Sequence, residues 1–338
     1  MRFSVVCSVR NEGPFLVEWV SWYRRLGFDD IVVVTNDCTD RSPQLLDALH
    51  HAGWITHLRH DPDPHQSICA QKLAAAKSLP QVHDADWLLV CDVDEFLTIH
   101  QGQGTIRDLI PPKADFLGMA INWRVFGTSG HSRWEEGLTH RQFTRAATLE
   151  DESSTWIKMI HAHPRWFHAL GEHGPKRLSR KRAAEWGGPK MRMVNAGGQT
   201  IADWTPDGDY LRRLPTDLTC HHPAQMNHYM LRSNESFALK RGTLSAVAGK
   251  NRYTGSFFTR HDRNEIEDRS AFAHADAFDA VFAAAMALPD VARLHHLCCA
   301  DFLSRSAAKQ GRAIETDPRF HQQIARAAAA HEAALAAQ

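Results

Sequence analysis

The sequence carries no excess of charge of either sign: Lys+Arg and Asp+Glu both total 39. A balanced chain offers no electrostatic case for wrapping a nucleic-acid duplex. Its seven cysteines, Cys7, Cys38, Cys69, Cys91, Cys220, Cys298 and Cys299, include no CxxC pair. Zinc ribbons and thioredoxin-type sites are thereby excluded, and the odd, irregular set fits a reducing compartment. No stretch approaches the ~18 apolar residues of a membrane span. The apolar start meets Arg10-Asn11-Glu12 too soon for a signal-peptide core. A GxGxxG turn after the first strand, a Walker A loop, a GxSxG elbow and an HExxH helix are all missing. The expectation is a cytoplasmic protein without a transmembrane segment, with peripheral contact at the inner membrane face left open.

What is there is the composition of a folded globular chain: 338 residues, 43% hydrophobic and 23% charged. That length suits one large α/β domain with an extension, or two domains. Short apolar runs at 3–9, 31–34, 54–58 and 87–91 read as buried strands. Helices are expected between them: one opened by Pro14 and closed by Gly27, one through Leu45, Leu46 and Leu49, and one over 68–79 stopped by Pro80. Continuous apolar strands alternating with helices predict a mostly parallel sheet covered on both faces. Further strands are expected at 116–123 and 156–161, and long loops over 171–208. After about residue 271 the texture turns Ala-rich, with Phe278, Val281, Phe282 and Ala285 at helical spacing. Asp317-Pro318 opens a last helix. The 22 histidines are scattered, with only three adjacent pairs, which is not the pattern of a metal-storage protein.

In an open parallel sheet, ligands bind outside the carboxyl ends of the strands. Here those ends are Arg10-Asn11-Glu12, Asn36-Asp37, His60-Asp61 and Asp92-Val93-Asp94-Glu95. In extended backbone, residues two apart point the same way, so Asp92 and Asp94 would present two carboxylates together. Two hard oxygen donors suit Mg²⁺ or Mn²⁺, which keeps open positions for diphosphate oxygens. Strand-end aspartates often do no more than cap the next helix. Three further polar strand ends beside this one favour the metal reading.

These segments resemble the GT-A glycosyltransferases of the family-2-like group related to glycosyltransferase family 92 (the DUF23-type proteins). The resemblance is carried by Val9-Arg-Asn-Glu12 with Glu18-Trp19, by Leu26-Gly-Phe28, and by Val34-Thr-Asn-Asp-Cys-Thr-Asp40. It continues through Trp87 to Leu97, Asn122 to His131, and Asn227 to Gly242, spanning residues 5–245 in order. One departure is Thr35-Asn36, where many relatives have an acidic residue first. The resemblance implies a GT-A domain (Rossmann-like, mostly parallel) over 1–245 and a helical extension over 246–338. It implies an inverting hexosyltransferase of polysaccharide biosynthesis, moving a sugar from a nucleotide-diphosphate donor, a UDP-sugar first, to a glycan or glycolipid acceptor. Arg10, Asn11, Glu12, Asn36 and Asp40 match its donor-nucleotide segments. Asp92 and Asp94 match its metal and ribose motif, with Asp94 as direct ligand of Mn²⁺ or Mg²⁺. His228 falls where an imidazole third ligand is often supplied, with His173 as the rival. Arg232, Lys240 and Arg241 would neutralise the diphosphate. Lys158 reads as a surface lysine. Glu172, beside His173, is the first candidate for the acceptor base, with Glu135, Glu136, Asp151 and Glu152 as alternatives. The competing readings are a sugar nucleotidyltransferase and a non-catalytic nucleotide-sugar-binding protein.

Overall fold

A computed structural model describes residues 1–243 and 251–336. Its first part alternates strand and helix: β1 (Phe3–Val9), α1 (Gly13–Arg25), β2 (Asp30–Thr35), α2 (Ser42–His51), β3 (Thr56–Arg59), α3 (Ile68–Lys77), the single turn α4 (Pro80–His83) and β4 (Trp87–Val90). These four strands pair in parallel in the order β3-β2-β1-β4, with Val5 opposite both Ile31 and Leu89. Val5, Cys7 and Val9 face one apolar layer, while Val6 joins Val32, Val34, Leu73, Leu88 and Val90 in a second. Both faces of the sheet are therefore buried. That is why its strands read as unbroken apolar runs instead of alternating ones.

The sheet extends on the far side of β4. The chain adds β5 (Glu95–Ile99), the turn α5 (Ile106–Leu109), β6 (Gly118–Val125), α6 (Thr139–Gln142), β7 (Arg145–Ala146) and β8 (Ile157–Ala162). It then forms the hairpin β9 (Phe167–Leu170) and β10 (Pro175–Leu178), the turn α7 (Arg180–Ala183), β11 (Met193–Asn195), β12 (Ala224–His228) and α8 (Asn234–Lys240). The order continues β4-β8-β6-β12-β5, with β11 on β6. Strand β8 runs antiparallel to β4 and β6, and β5 antiparallel to β12. The fold is thus α/β with a mostly parallel sheet, as expected. The stretch 171–208, expected to be loops, contributes β10, α7 and β11.

The tail holds α9 (Gly255–His261), β13 (Ile266–Glu267), α10 (Ala275–Met286), α11 (Val291–Lys309) and α12 (Pro318–Ala336). The expected domain boundary between 245 and 246 lies outside the described residues. On either side of it, one core is shared: Phe278, Leu294, Cys298 and Phe302 bury against the same cluster as Phe15, Trp19 and Trp22. Among the described residues no helix is long and apolar enough to cross a membrane.

Candidate active site

The carboxyl ends of β1, β2 and β4 meet the end of β12 and the start of α8. The segment after β4 is a turn, not extended backbone: the Glu95 amide donates to the Asp92 carbonyl at 3.1 Å. The expectation that spacing alone would set Asp92 and Asp94 side by side therefore fails. The turn sends them to different cations. Asp92 Oδ2 accepts from Lys158 Nζ at 3.0 Å, and Asp94 Oδ2 accepts from Lys240 Nζ at 3.0 Å. Asp94 Oδ1 also lies 3.5 Å from His228 Nε2. Burial raises the Asp94 carboxyl, but Lys240, His228 and Arg232 outweigh it and hold the group well below the usual carboxylate range.

Behind these groups stands Glu95, fully buried, with Oε2 2.9 Å from Lys158 Nζ and Oε1 3.7 Å from His228 Nδ1. Burial pushes its carboxyl up to about 7, against the pull of Lys158. Lys158 was expected at the surface. It is instead 1% exposed on β8, and Asp92 and Glu95 hold its ammonium well above the usual lysine range despite its burial. The sequence carries a signal for this: a lone lysine inside the apolar run Ile157-Lys158-Met159-Ile160. In the sequence Glu95 reads as part of this strand end without a role of its own, and Lys158 as a surface residue.

The remaining predicted residues divide into those facing this cluster and those bracing it. Arg232, 2% exposed and held at φ 55°, donates to Glu12 Oε2 at 3.0 Å and lies 3.4 Å over the Phe15 ring. Glu12, Arg232, Asp94 and Lys240 thus form one alternating charge chain. Asn11 Oδ1 accepts from the Thr39 amide at 2.7 Å and the Asp40 amide at 3.3 Å, which ties the loops after β1 and β2 together. Asp40 in turn accepts from the Ser42 amide at the start of α2. Asn36 accepts from buried Lys72 at 2.6 Å, and Arg10 Nε donates to the Asp37 carbonyl at 3.3 Å. Arg241 is exposed just beyond α8.

His173 Nδ1 donates to the Ile157 carbonyl at 2.8 Å, and the ring packs among Trp123, Trp156 and Tyr210. Burial pushes it down to about 3. A ring so weakly basic is a poor proton acceptor. Glu172 lies beside Cys69 of α3, whose thiol is raised by burial and then by that carboxylate. Trp123 stacks on Trp156 with ring centres 5.3 Å apart and meets His228 edge-on at 4.3 Å. Three of the other base candidates pair with cations elsewhere: Glu152 with Arg213, Asp151 with Arg263 and Glu136 with Arg326.

Asp94 and His228 converge, but Asp92 does not complete a three-ligand cluster with them. Among the described residues the one group of three such side chains with ligand atoms within 4.8 Å of one another is Glu136, His295 and His296.

Comparison with known proteins yields one sequence-level match: the model of glycosyltransferase family 92 fits residues 4–187, more than half of the chain. No curated protein matches. Among solved structures, S. aureus TarS 1–349 aligns over 92% of this chain and 92% of its own, at 13% identity and a TM-score of 0.33. The same protein in complex with UDP aligns over 92% of each chain at 14% identity and a TM-score of 0.35. In complex with UDP-GlcNAc the values are 92% of this chain, 93% of that one, 12% identity and a TM-score of 0.33.

Proposed function

The chain belongs to glycosyltransferase family 92, and from that membership we propose that it transfers a sugar from a nucleoside-diphosphate donor to a hydroxyl acceptor, at the carboxyl ends of β1, β2, β4 and β12. The observation that carries this reading is the charge chain Glu12–Arg232 and Asp94–Lys240, with His228 beside it. Transfer forms a bond between the acceptor oxygen and the anomeric carbon. It breaks the bond from that carbon to the β-phosphate oxygen, whose electron pair leaves with the diphosphate. Arg232 and Lys240 are fixed donors where that negative charge grows, which stabilises the transition state without reorganisation at the moment of reaction. Glu172 takes the acceptor proton in an inverting reaction, while His173, Trp123 and Trp156 shape the wall beside it.

A divalent cation, Mn²⁺ or Mg²⁺, fits the donors present. Asp94 Oδ1 and His228 Nε2 point to one place, 3.5 Å apart. His228 Nδ1 lies 3.7 Å from Glu95 Oε1, and neither atom has a hydrogen-bond partner among the described residues. A metal-ligating imidazole is usually backed by a carboxylate on its other nitrogen, and Glu95 stands where it would take that part. Such a cation would supply Lewis-acid neutralisation of the diphosphate. UDP is the first donor nucleotide to test.

Calorimetry with UDP, GDP and CDP, each with and without Mn²⁺, tests the reading. One nucleotide should bind, and Mn²⁺ should tighten it. Equal affinity without metal would assign the neutralisation to Lys240 and Arg232 alone. Asp94→Ala should lose both metal-enhanced binding and donor turnover, and Glu172→Gln should keep nucleotide binding while losing transfer. Tight nucleotide binding with no turnover of any sugar donor would favour the non-catalytic reading.

A further inference from the structure

A second cluster of metal-ligating side chains lies in the helical tail and shares no residue with the donor site. It sits where the segment before α6 meets α11 and α12. Glu136 Oε1 lies 3.8 Å from His295 Nε2 and 3.4 Å from His296 Nδ1. Cys299, one helical turn after His295, brings its Sγ to 3.8 Å from His295 Nε2. Ligands placed 2.0–2.3 Å from a tetrahedral ion stand roughly 3.3–3.8 Å from one another; the Glu136–His295 and Glu136–His296 spacings match such a shell, while Cys299 stands outside the group of three.

The surroundings support a built site over a chance encounter. His295 is 6% exposed, its Nε2 turned into the cluster, and its Nδ1 has no hydrogen-bond partner among the described residues. Glu136 is already oriented from behind: its other oxygen, Oε2, accepts from Gln323 at 2.7 Å and from Arg326, both on α12. This is the outer-shell arrangement that fixes a ligating carboxylate. Two imidazoles and a single carboxylate together select Zn²⁺ over Mg²⁺ or Ca²⁺, which prefer all-oxygen shells.

We propose that Glu136, His295 and His296 bind a Zn²⁺ ion, with a water completing its tetrahedron, clamping α11 and α12 to the segment before α6. Loading exchanges the 2.9 Å bond that His296 Nδ1–H donates to Gln323 Oε1 for a bond to the metal, the ring proton moving to Nε2.

The test uses the full chain, stripped with chelator and titrated with Zn²⁺. Wild type should take up one equivalent through this site, read by elemental analysis, and its melting temperature should rise. Asp94→Ala should retain that equivalent, which separates this site from the donor site. His296→Ala should weaken binding by more than about 100-fold, beyond the 10–100-fold of an outer-shell change. Should His296→Ala fail to fold, Co²⁺ added to the stripped wild-type chain decides. Tetrahedral visible bands support the site, and an octahedral spectrum overturns it. The proposal also falls if wild type binds no stoichiometric Zn²⁺, or if Asp94→Ala removes the equivalent and a folded His296→Ala keeps it.

Discussion

At the scale of single residues, the site is governed by charges placed where water cannot reach them. Lys158 is the clearest case, since fully buried Glu95 has Lys158 as its close cation. Lys158→Met should destabilise the chain by about 3–5 kcal/mol, the usual cost of stranding one member of a buried pair. Adding Glu95→Gln should recover part of that loss, as urea midpoints would show. A second buried group contributes to the acid limit. His161 is fully buried on β8, and burial pushes its imidazole down to about 3. In the unfolded chain it titrates near 6.5, so between those values the unfolded state binds the extra proton. Its contribution is therefore present above about pH 6.5 and is lost on acidification, at about 1.4 kcal/mol per pH unit. Thermal melts from pH 7 to 5 should fall more steeply for wild type than for His161→Leu. These same residues mark where the sequence stops being legible. Asp94 and Arg232 declare themselves through a motif. Lys158 is read as surface because sequence carries composition, and only the pairing of β8 with β4 and β6 shows what a lysine in that strand faces.

At the scale of elements, what could be read was periodicity. Strands β1 to β4 are continuous apolar runs because both of their faces are covered, and the helices between them carry their own Pro and Gly punctuation. β5 and β12 escape that reading because their antiparallel pairing brings together Glu95, Asn227 and His228, residues that look like loop material in one dimension. The start of α1 shows what element packing demands. A Cβ built on Gly13 would lie 2.5 Å from Cys298 Cβ and 2.6 Å from its Sγ, so α1 and α11 touch backbone to side chain. Gly13→Ala should cost about 1–3 kcal/mol through overpacking, seen as a lower melting temperature. Cys298→Ala in the same chain removes the sulfur but leaves the Cβ, so the rescue should be partial.

At the scale of the whole molecule, the helical tail is a brace for the site and not an appendage. Arg305 of α11 donates to the Asn11 carbonyl at 3.4 Å, and Asp301 pairs with Arg41 just after Asp40. Ser306 donates to Glu235 Oε1 at 2.9 Å, and Arg319 of α12 donates to Glu235 Oε2 at 2.8 Å. Glu235 lies on α8, between Arg232 and Lys240. One helix pair thus touches the loops after β1 and β2, which carry Asn11 and Asp40, and the helix that carries Lys240. A chain shortened to residue 274 would lose those links and uncover Phe15, Trp22 and their neighbours, which bury against Phe278, Cys298 and Phe302. Uncovering several large apolar side chains, each worth about 1.5–3 kcal/mol when buried, would consume most of a typical domain's 5–15 kcal/mol. The shortened chain should therefore aggregate, or bind a hydrophobic dye without a cooperative melt. A soluble, cooperatively melting product that still binds nucleotide would show instead that the sheet and α8 hold the site unaided.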